Sequence, residues 1–413
     1  MLRGLVKCLG IQLLSFPLVA SGAFFMAAEG SVPLLNEEIS YRADAGQSSG
    51  FEKVLVENEG WVSQKEKPFR STGEPIHIWV KIDVPVATAA RRVLIRTGAW
   101  ESAEYFIVRD GRLVDRQKVG TLVPWAEHKT RVTMTPAAWH AGFVAVDLPP
   151  QARITVFARL ANENRIRATT LLQFSLWDEN QVREGELRDR FFQGAFIGVM
   201  LFLVLYNIAL YALNVRELSY LYFVILTAAN TLAWGILYGL TQEFLWPDRP
   251  AWDLYCIWIA LPLGMYSFVQ FGRHYLQTDK HFPRTDVLLK WIAYAVLMPL
   301  PVFLLPLAIG HPVSLKSTLV GIVLVSAVIN PLLVGVTILA LIKRHPFAPL
   351  FAAAMFCYGV GAFITFGTML GFIPEIEFTS SAGQVGTVLL AILFSTGLDF
   401  RMRQLREQRQ SMN

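Results

Sequence analysis

Cysteine is nearly absent from this chain of 413 residues, which contains only Cys8, Cys256 and Cys357. Cys8 lies in an apolar amino-terminal segment, and the other two lie in apolar stretches of helical length. The region between Cys8 and Cys256 therefore contains no cysteine pair that could form a disulfide. Its stability must come from its own apolar core.

Common catalytic, metal-binding and phosphate-binding motifs are also absent from the sequence. It contains no glycine loop that would hold phosphate, no paired cysteines at metal-binding spacing and no histidine pair at metalloprotease spacing. The seven histidines are scattered, and His274 and His281 share a basic loop that suits an anionic lipid surface better than metal chemistry. We therefore expect no catalytic activity, no metal and no cofactor.

Charge is scarce within the apolar stretches, although ion-coupled transporters commonly place titratable groups there. The conspicuous polar residues are Asn207, Asn230 and Asn330. Buried asparagines in membrane helices more often form interhelical hydrogen bonds than bind a substrate. The sequence thus argues against ion-coupled transport, and Asn330-Pro331 is a candidate kink.

The order of segments predicts a domain that is exported across the membrane and is followed by a membrane domain. The chain is 54% hydrophobic and 17% charged, with a mean hydropathy of +0.41, and most of its apolar excess follows Phe191. Arg3, Lys7 and the apolar run from Leu9 to Val19 are typical of a signal peptide, although an uncleaved anchor has a similar pattern. We divide the chain into a signal peptide (1–28), a β-sandwich (29–177), a linker helix (178–190), a seven-helix domain (191–400) and a basic tail (401–413).

The exported region has the alternation of β-strands. From Ile76 to Val84, apolar residues alternate with polar residues or Trp79, so one face of the strand is buried. Asp110-Gly111 suits a hairpin turn. Short strands without helical pattern between them predict an all-β sandwich. The other candidate strands are Val93–Arg96, Glu104–Val108, Arg131–Thr135, Phe143–Asp147, Ile154–Leu160 and Thr170–Leu176.

The remaining chain is predicted to be an all-α membrane domain, because each apolar stretch approaches the roughly 20 residues that cross a bilayer. The predicted spans are Phe191–Leu213, Leu218–Leu240, Leu254–Phe271, Val287–Ile309, Ser317–Ile342, Leu350–Phe372 and Gly383–Leu398.

Positive charge orients these spans. With the amino end outside, only Arg249 and Lys316 lie in outer loops. The positive-inside rule therefore supports a cytoplasmic carboxyl end, and it explains the net charge of +5 better than nucleic-acid binding does. The inner segments contain Arg216, Arg273, Lys280, Arg284, Lys290, Lys343, Arg344, Arg401, Arg403, Arg406 and Arg409.

A series of short motifs lies along most of the mature chain. These motifs are Ile78-Trp79-Val80-Lys81, Asp110-Gly111, Arg153 to Leu160, Gly194, Gly198, Leu205-Tyr206-Asn207, Tyr220-Leu221-Tyr222, Gly239, Phe244-Leu245-Trp246-Pro247, Phe271, Arg273, Tyr275-Leu276, Pro283, Leu288-Leu289, Phe394-Ser395, Leu398, Arg401 and Arg403. In their order and spacing they resemble the bacterial seven-transmembrane receptors with diverse intracellular signalling modules and their type-two extracellular domain.

The resemblance implies a periplasmic jelly-roll-like sandwich, similar to carbohydrate-binding modules, that signals through seven spans. Members of the family usually carry a kinase, cyclase or phosphatase module after the last span. This sequence has only residues 401–413 after Phe400, so we expect it to act on a separate cytoplasmic partner. The candidate docking residues in the tail are Arg401, Arg403, Arg406 and Arg409, for which a basic anchor beside the lipid is an equal alternative.

If the sandwich binds a sugar, aromatic rings should contact it, because they offer flat apolar surfaces. The candidate ligand-binding residues are Trp100, Trp125, Trp139, Arg96, His128 and Arg131, and ordinary packing is the alternative for each tryptophan. Replacing Trp100 or Trp125 with Ala is expected to weaken a ligand response without unfolding. Trp79 either packs against a second layer or is exposed.

Together these observations predict a receptor-like protein of the bacterial inner membrane, which contacts lipid, an unknown ligand and a cytoplasmic signalling protein. The mixed-charge segment Asp178 to Arg190 is either a solvated helix face or a stiff coupler between the domains. Two alternatives stay open. One is a transporter or transport accessory that captures solute, and the other is a membrane scaffold that binds protein.

Overall fold

A computed structural model describes residues 31–33, 38–44, 50–56, 59–69, 76–96, 98, 100–132, 142–162, 172, 174–213, 217–298, 300–301, 304, 315–369, 372–374 and 377–412. The predicted signal peptide and the end of the predicted fourth span lie outside these residues. So do Trp139 and most of the predicted strand Arg131–Thr135.

The described part of the amino-terminal region is an antiparallel β domain with two sheets. One sheet has the order β1-β10-β5-β8 and the other has the order β3-β2-β4-β9-β6-β7. Apolar residues of both sheets share one core, so the sheets face each other, while the jelly-roll connection order stays a prediction. The strands are β1 (Ser31–Pro33), β2 (Ile39–Ala43), β3 (Val62–Ser63), β4 (Ile76–Val84), β5 (Arg91–Arg96), β6 (Ser102–Arg109), β7 (Arg112–Val119), β8 (Phe143–Leu148), β9 (Ile154–Asn162) and β10 (Ser175–Asp178).

Strand β4 has the predicted bounds and the predicted buried face. Ile78, Val80 and Ile82 point into the core between the sheets. Trp79 points the other way, yet only 1% of it is exposed, because a short helix, α1 (Phe51–Val56), covers that face of the sheet. Of the two alternatives left open for Trp79, packing against a second layer is therefore the one observed.

The Asp110-Gly111 hairpin is confirmed. Both residues have positive φ, 50° and 78°, as a tight turn between β6 and β7 requires. The predicted strand Thr170–Leu176 is wrong in its bounds, because Leu172 and Phe174 are buried without strand structure and β10 begins at Ser175. At Arg131–Thr135 the two described residues, Arg131 and Val132, are not in a strand.

The carboxyl-terminal region is helical. Five described helices are long and apolar enough to cross a membrane, namely α2, α3, α5, α9 and α10. Helices α7 and α8 correspond to the predicted fourth and fifth spans, and the count of seven stays a prediction. The helices are α2 (Glu179–Leu213), α3 (Leu218–Leu237), α4 (Leu240–Phe244), α5 (Ala251–Tyr275), α6 (Thr278–His281), α7 (Pro283–Leu297), α8 (Leu315–Ile342), α9 (Ala348–Met369) and α10 (Glu377–Met412).

Two features of packing position these helices. Aromatic rings fill the half of the bundle nearer the tail, where the ring centroids of Phe271 and Phe394 are 4.5 Å apart and those of Phe351 and Phe394 are 5.1 Å apart. Nearer the sandwich, glycine lets two backbones touch. A Cβ at Gly361 of α9 would lie 2.5 Å from the carbonyl oxygen of Ala382 in α10. The position of α10 therefore depends on the absence of a side chain at Gly361.

Candidate functional site

The sandwich passes into the membrane helices without a flexible linker. Strand β10 ends at Asp178 and α2 begins at Glu179. The Asp178 carboxylate accepts a hydrogen bond from the Asn180 N–H (2.9 Å), which satisfies a free donor at the start of the helix. One turn later, Val182 is fully buried against Trp177 and Phe143 of the four-stranded sheet. The predicted linker helix is therefore the first part of α2, and its first turns are packed against the sheet.

A second contact joins the sandwich to the bundle beside α4. The Trp125 N–H donates to the Pro247 carbonyl oxygen (2.8 Å), and the buried Gln242 amide donates to the Thr121 carbonyl oxygen (3.1 Å). Arg190 of α2 contacts Glu243 of α4 at 2.8 Å, which links the two junctions. The sandwich is held at two points rather than one, and this restricts its rotation about α2.

The predicted ligand-binding residues do not form one site in the described structure. Trp125, His128 and Arg131 lie around the short 3-10 helix Trp125–Glu127, beside the junction with Pro247. Trp100 is only 1% exposed and packs in the sandwich core, so its ring presents no face to a ligand. Trp100 therefore has the ordinary packing role that was the alternative to ligand binding.

The remaining candidates add little to a ligand site. Arg96 is half-buried on β5, and Trp139 is outside the described residues. His128 is 7% exposed, and its burial lowers the pKa of the imidazole below the usual 6.5. A neutral His128 therefore packs beside Trp125 at ordinary pH, as a part of the domain junction.

Helices α2 and α10 are joined by polar side chains at two depths of the bundle. Near the sandwich, the buried amides of Gln193 and Gln384 exchange hydrogen bonds of 3.1 and 2.7 Å. Farther along, the Asn207 amide donates to the Ser395 hydroxyl (3.0 Å). The predicted interhelical role of Asn207 is confirmed, whereas Asn230 and Asn330 are half-buried on α3 and α8. We call these contacts the α2–α10 ladder.

A third level of contact lies where α10 leaves the bundle. The Tyr206 hydroxyl of α2 donates to Asp399 Oδ2 (2.9 Å), two residues before Arg401. Arg401 Nη1 donates to the Ser219 hydroxyl (2.9 Å), and Nη2 lies 3.3 Å from Glu217. Asp399 and Arg401 thus fix α10 to α2 and to the start of α3.

Arg401, one of the four candidate docking residues, is 6% exposed and contacts Ser219 and Glu217 within the chain. Arg403 is exposed on the same helix. At Arg406 and Arg409 the structure describes the helical backbone alone. Helix α10 continues to Met412, so the tail is an extension of the last span.

These features define a class of membrane protein: a β domain that is packed onto membrane-spanning helices, with one helix running from its sheet and another leading into a tail. The family model described as 7TM diverse intracellular signalling matches residues 189–400, and the model described as 7TMR-DISM extracellular 2 matches residues 36–178. The first match covers 212 of the 413 residues, so this chain belongs to the 7TM diverse intracellular signalling family. No curated protein matches the chain.

Membership confirms the resemblance read from the motifs. The family comprises membrane receptors that have an extracellular sensor domain and diverse intracellular signalling, and this chain has the matching β domain and apolar helices. Sequence reasoning did not identify Gln193, Gln384, Tyr206 and Asp399 as contacts between helices. Gln193 and Gln384 are polar amides within apolar runs, and this pattern in the sequence could have indicated a contact between helices.

Proposed function

We propose that this protein is a receptor-like signal transducer of the bacterial inner membrane. Its periplasmic sandwich binds a carbohydrate-like ligand, and its helices relay the bound state to a separate cytoplasmic signalling protein. The protein itself performs no catalysis. Family membership supports the sensing and signalling parts of this proposal.

The continuity of α2 carries the proposal. This helix has 35 residues, and a straight helix of that length extends roughly 50 Å, which exceeds the thickness of a bilayer. Its first turns are packed against β10 and β5, while its last turns contact α10 through Asn207 and Tyr206. A displacement of the four-stranded sheet therefore moves α2 relative to α10, without an intervening flexible joint.

The α2–α10 ladder allows α2 to move between distinct positions, each with its own set of hydrogen bonds to α10. Hydrogen bonds between membrane helices each contribute about 0.6 kcal/mol on average, so a few of them can break and re-form at low cost. The Gln193–Gln384 pair and the Asn207–Ser395 pair bond along parallel helices. A shift of α2 would exchange partners along α10 and reposition the tail.

The distribution of cations supports the orientation. Exposed Lys280, Arg284 and Lys290 lie around α6 and α7, on the side of the bundle from which the tail emerges, together with exposed Arg403. Cytoplasmic loops of membrane proteins are enriched in Lys and Arg. We therefore place the tail in the cytoplasm and the sandwich in the periplasm.

Crosslinking in the native membrane, followed by mass spectrometry, tests the relay to a partner. Replacing Arg403, Arg406 and Arg409 together with Gln is expected to remove the captured kinase, cyclase or phosphatase, because the tail would lose three positive charges that pair with it. Arg401 stays unchanged because it is buried.

A matched control replaces Lys280, Arg284 and Lys290 with Gln, which removes the same charge from another inner surface. We expect this control to capture the same protein as the unmodified chain. Finding no signalling protein whose capture depends on the tail would contradict the proposed relay.

A further inference from the structure

The outer face of the six-stranded sheet has a cluster of aromatic and charged side chains that the fold alone does not explain. Arg42 of β2 pairs in register with Trp79 of β4, and Trp79 pairs with Arg159 of β9. Successive side chains of a strand alternate between faces, so these three side chains are neighbours on one face. The face is opposite to the core between the two sheets.

Trp61 lies over this face and remains half-buried. Its ring centroid is 6.0 Å from that of Phe157, and the Arg42 guanidinium carbon is 5.3 Å from the Trp61 ring centroid. The Arg159 guanidinium carbon is 6.0 Å from the Trp79 ring centroid. The cluster therefore has a half-buried aromatic ring, Trp61, with the Arg42 guanidinium over its face, and the Arg159 guanidinium lies over the ring of Trp79.

Two buried polar atoms in the cluster make no hydrogen bond to the part of the chain that the structure describes. One is the indole Nε1 of Trp79, which is 1% exposed, and the other is Oδ1 of Asp44, which is 6% exposed. The other carboxylate oxygen of Asp44 accepts from Arg159 Nε (3.0 Å) and Nη2 (2.9 Å). A buried donor and a buried acceptor without partners are each costly, by about 1–3 kcal/mol, and call for a partner.

We propose that this cluster is the ligand-binding site of the sandwich and that its ligand is a neutral saccharide. The proposal deepens the proposed function and rests on it. A hydroxyl group both accepts and donates, so neighbouring hydroxyls can use Trp79 Nε1 and Asp44 Oδ1 together, while a sugar ring displaces the Arg42 guanidinium and stacks on Trp61. An anionic ligand fits less well, because Asp44 already neutralises Arg159 and would repel it.

Helix α1 borders the site and connects it to the sheet. The Phe51 ring stacks on Phe106 at 4.4 Å with an interplanar angle of 7°, and it meets Phe157 edge-on at 6.1 Å. A saccharide that reaches Trp79 has to move the Phe51 and Trp61 side chains. Ligand binding would thereby displace β4, β6 and β9, whose other faces form the sandwich core.

Calorimetry on the full chain in lipid nanodiscs tests the site. The probes are soluble oligosaccharides of glucose, mannose, xylose and N-acetylglucosamine. At least one is expected to bind, and Trp61→Ala is expected to weaken the tightest of them about tenfold through loss of ring stacking. Asp44→Asn, which changes little volume, is expected to weaken it to a similar extent.

Matched controls are Trp252→Ala and Asp83→Asn, since Trp252 is in the membrane domain and Asp83 is an exposed carboxylate elsewhere on β4. Thermal melting of each variant reports folding, and Asp44→Asn decides the result if Trp61→Ala lowers the melting temperature. If the folded variants bind the oligosaccharide with unchanged affinity, this site is overturned, whereas the proposal that the sandwich senses a ligand still holds. Binding of no oligosaccharide by the unmodified chain overturns the saccharide class, whereas the relay is tested separately by tail-dependent capture.

Discussion

Replacing Trp100 with Ala is expected to destabilise the sandwich by about 3–5 kcal/mol, because truncation of a large buried aromatic ring leaves a cavity in the core. Trp100 is 1% exposed and packs among residues of both sheets. The free energy of unfolding can be measured by denaturant titration, followed by tryptophan fluorescence of the sandwich. This expectation replaces the sequence-based one, in which Trp100→Ala affects ligand response alone.

Trp125→Ala provides the control, since Trp125 is half-buried at the junction and its contact with Pro247 is made by its backbone N–H. We expect that variant to unfold at a denaturant concentration close to that of the unmodified protein. Equal stability of Trp100→Ala and the unmodified chain would show that Trp100 does not support the core.

Replacing Gly361 with Leu is expected to separate α9 from α10 and to destabilise the helical bundle by about 3 kcal/mol, the upper range for overpacking. A Cβ at Gly361 would lie 2.5 Å from the Ala382 carbonyl oxygen and 3.1 Å from the Cα of Gly386, and backbone atoms cannot rotate away. The loss should appear as a lower melting temperature in detergent and a lower yield of folded protein.

Gly198→Leu is the matched control on α2. A Cβ at Gly198 meets nothing within 4 Å among the described residues, and Leu favours a helix more than Gly does. This variant should therefore be as stable as the unmodified protein or more so. If both glycine variants were equally destabilised, the close approach of α9 and α10 would not be the cause.

The strands that could be predicted from sequence are those with one clearly apolar face. Ile76–Val84 alternates along its whole length and has the predicted bounds, and Phe143 to Asp147 differs from β8 by one residue. Strand β7, Arg112–Val119, was missed because five of its eight residues are exposed and its pattern is largely polar. Its pairing with β6 depends on the Asp110-Gly111 turn rather than on an apolar face of its own.

The candidate site was only partly predictable, because its residues come together from distant segments. Asn207 was identified as an interhelical contact, but a sequence does not indicate that Ser395 is its partner. Arg401 carries the same charge as Arg403, and only packing against Ser219 and Glu217 separates a buried structural arginine from an exposed one. Likewise, periodicity does not distinguish Trp100 in the core from the half-buried Trp61 on the outer face of the six-stranded sheet.

In the proposed relay, the sandwich and α2 move as one unit relative to the end of α10. Pulsed electron paramagnetic resonance tests this coupling by measuring the distance between spin labels at Asp147 and Arg403, which are both exposed. The labels are placed in the full chain after its own cysteines have been replaced by alanine. We expect one narrow distance distribution for the unmodified helix and a broad one after insertion of Gly-Ser-Gly-Ser following Glu184. A broad distribution in the unmodified protein, or no change on insertion, would contradict the proposed relay.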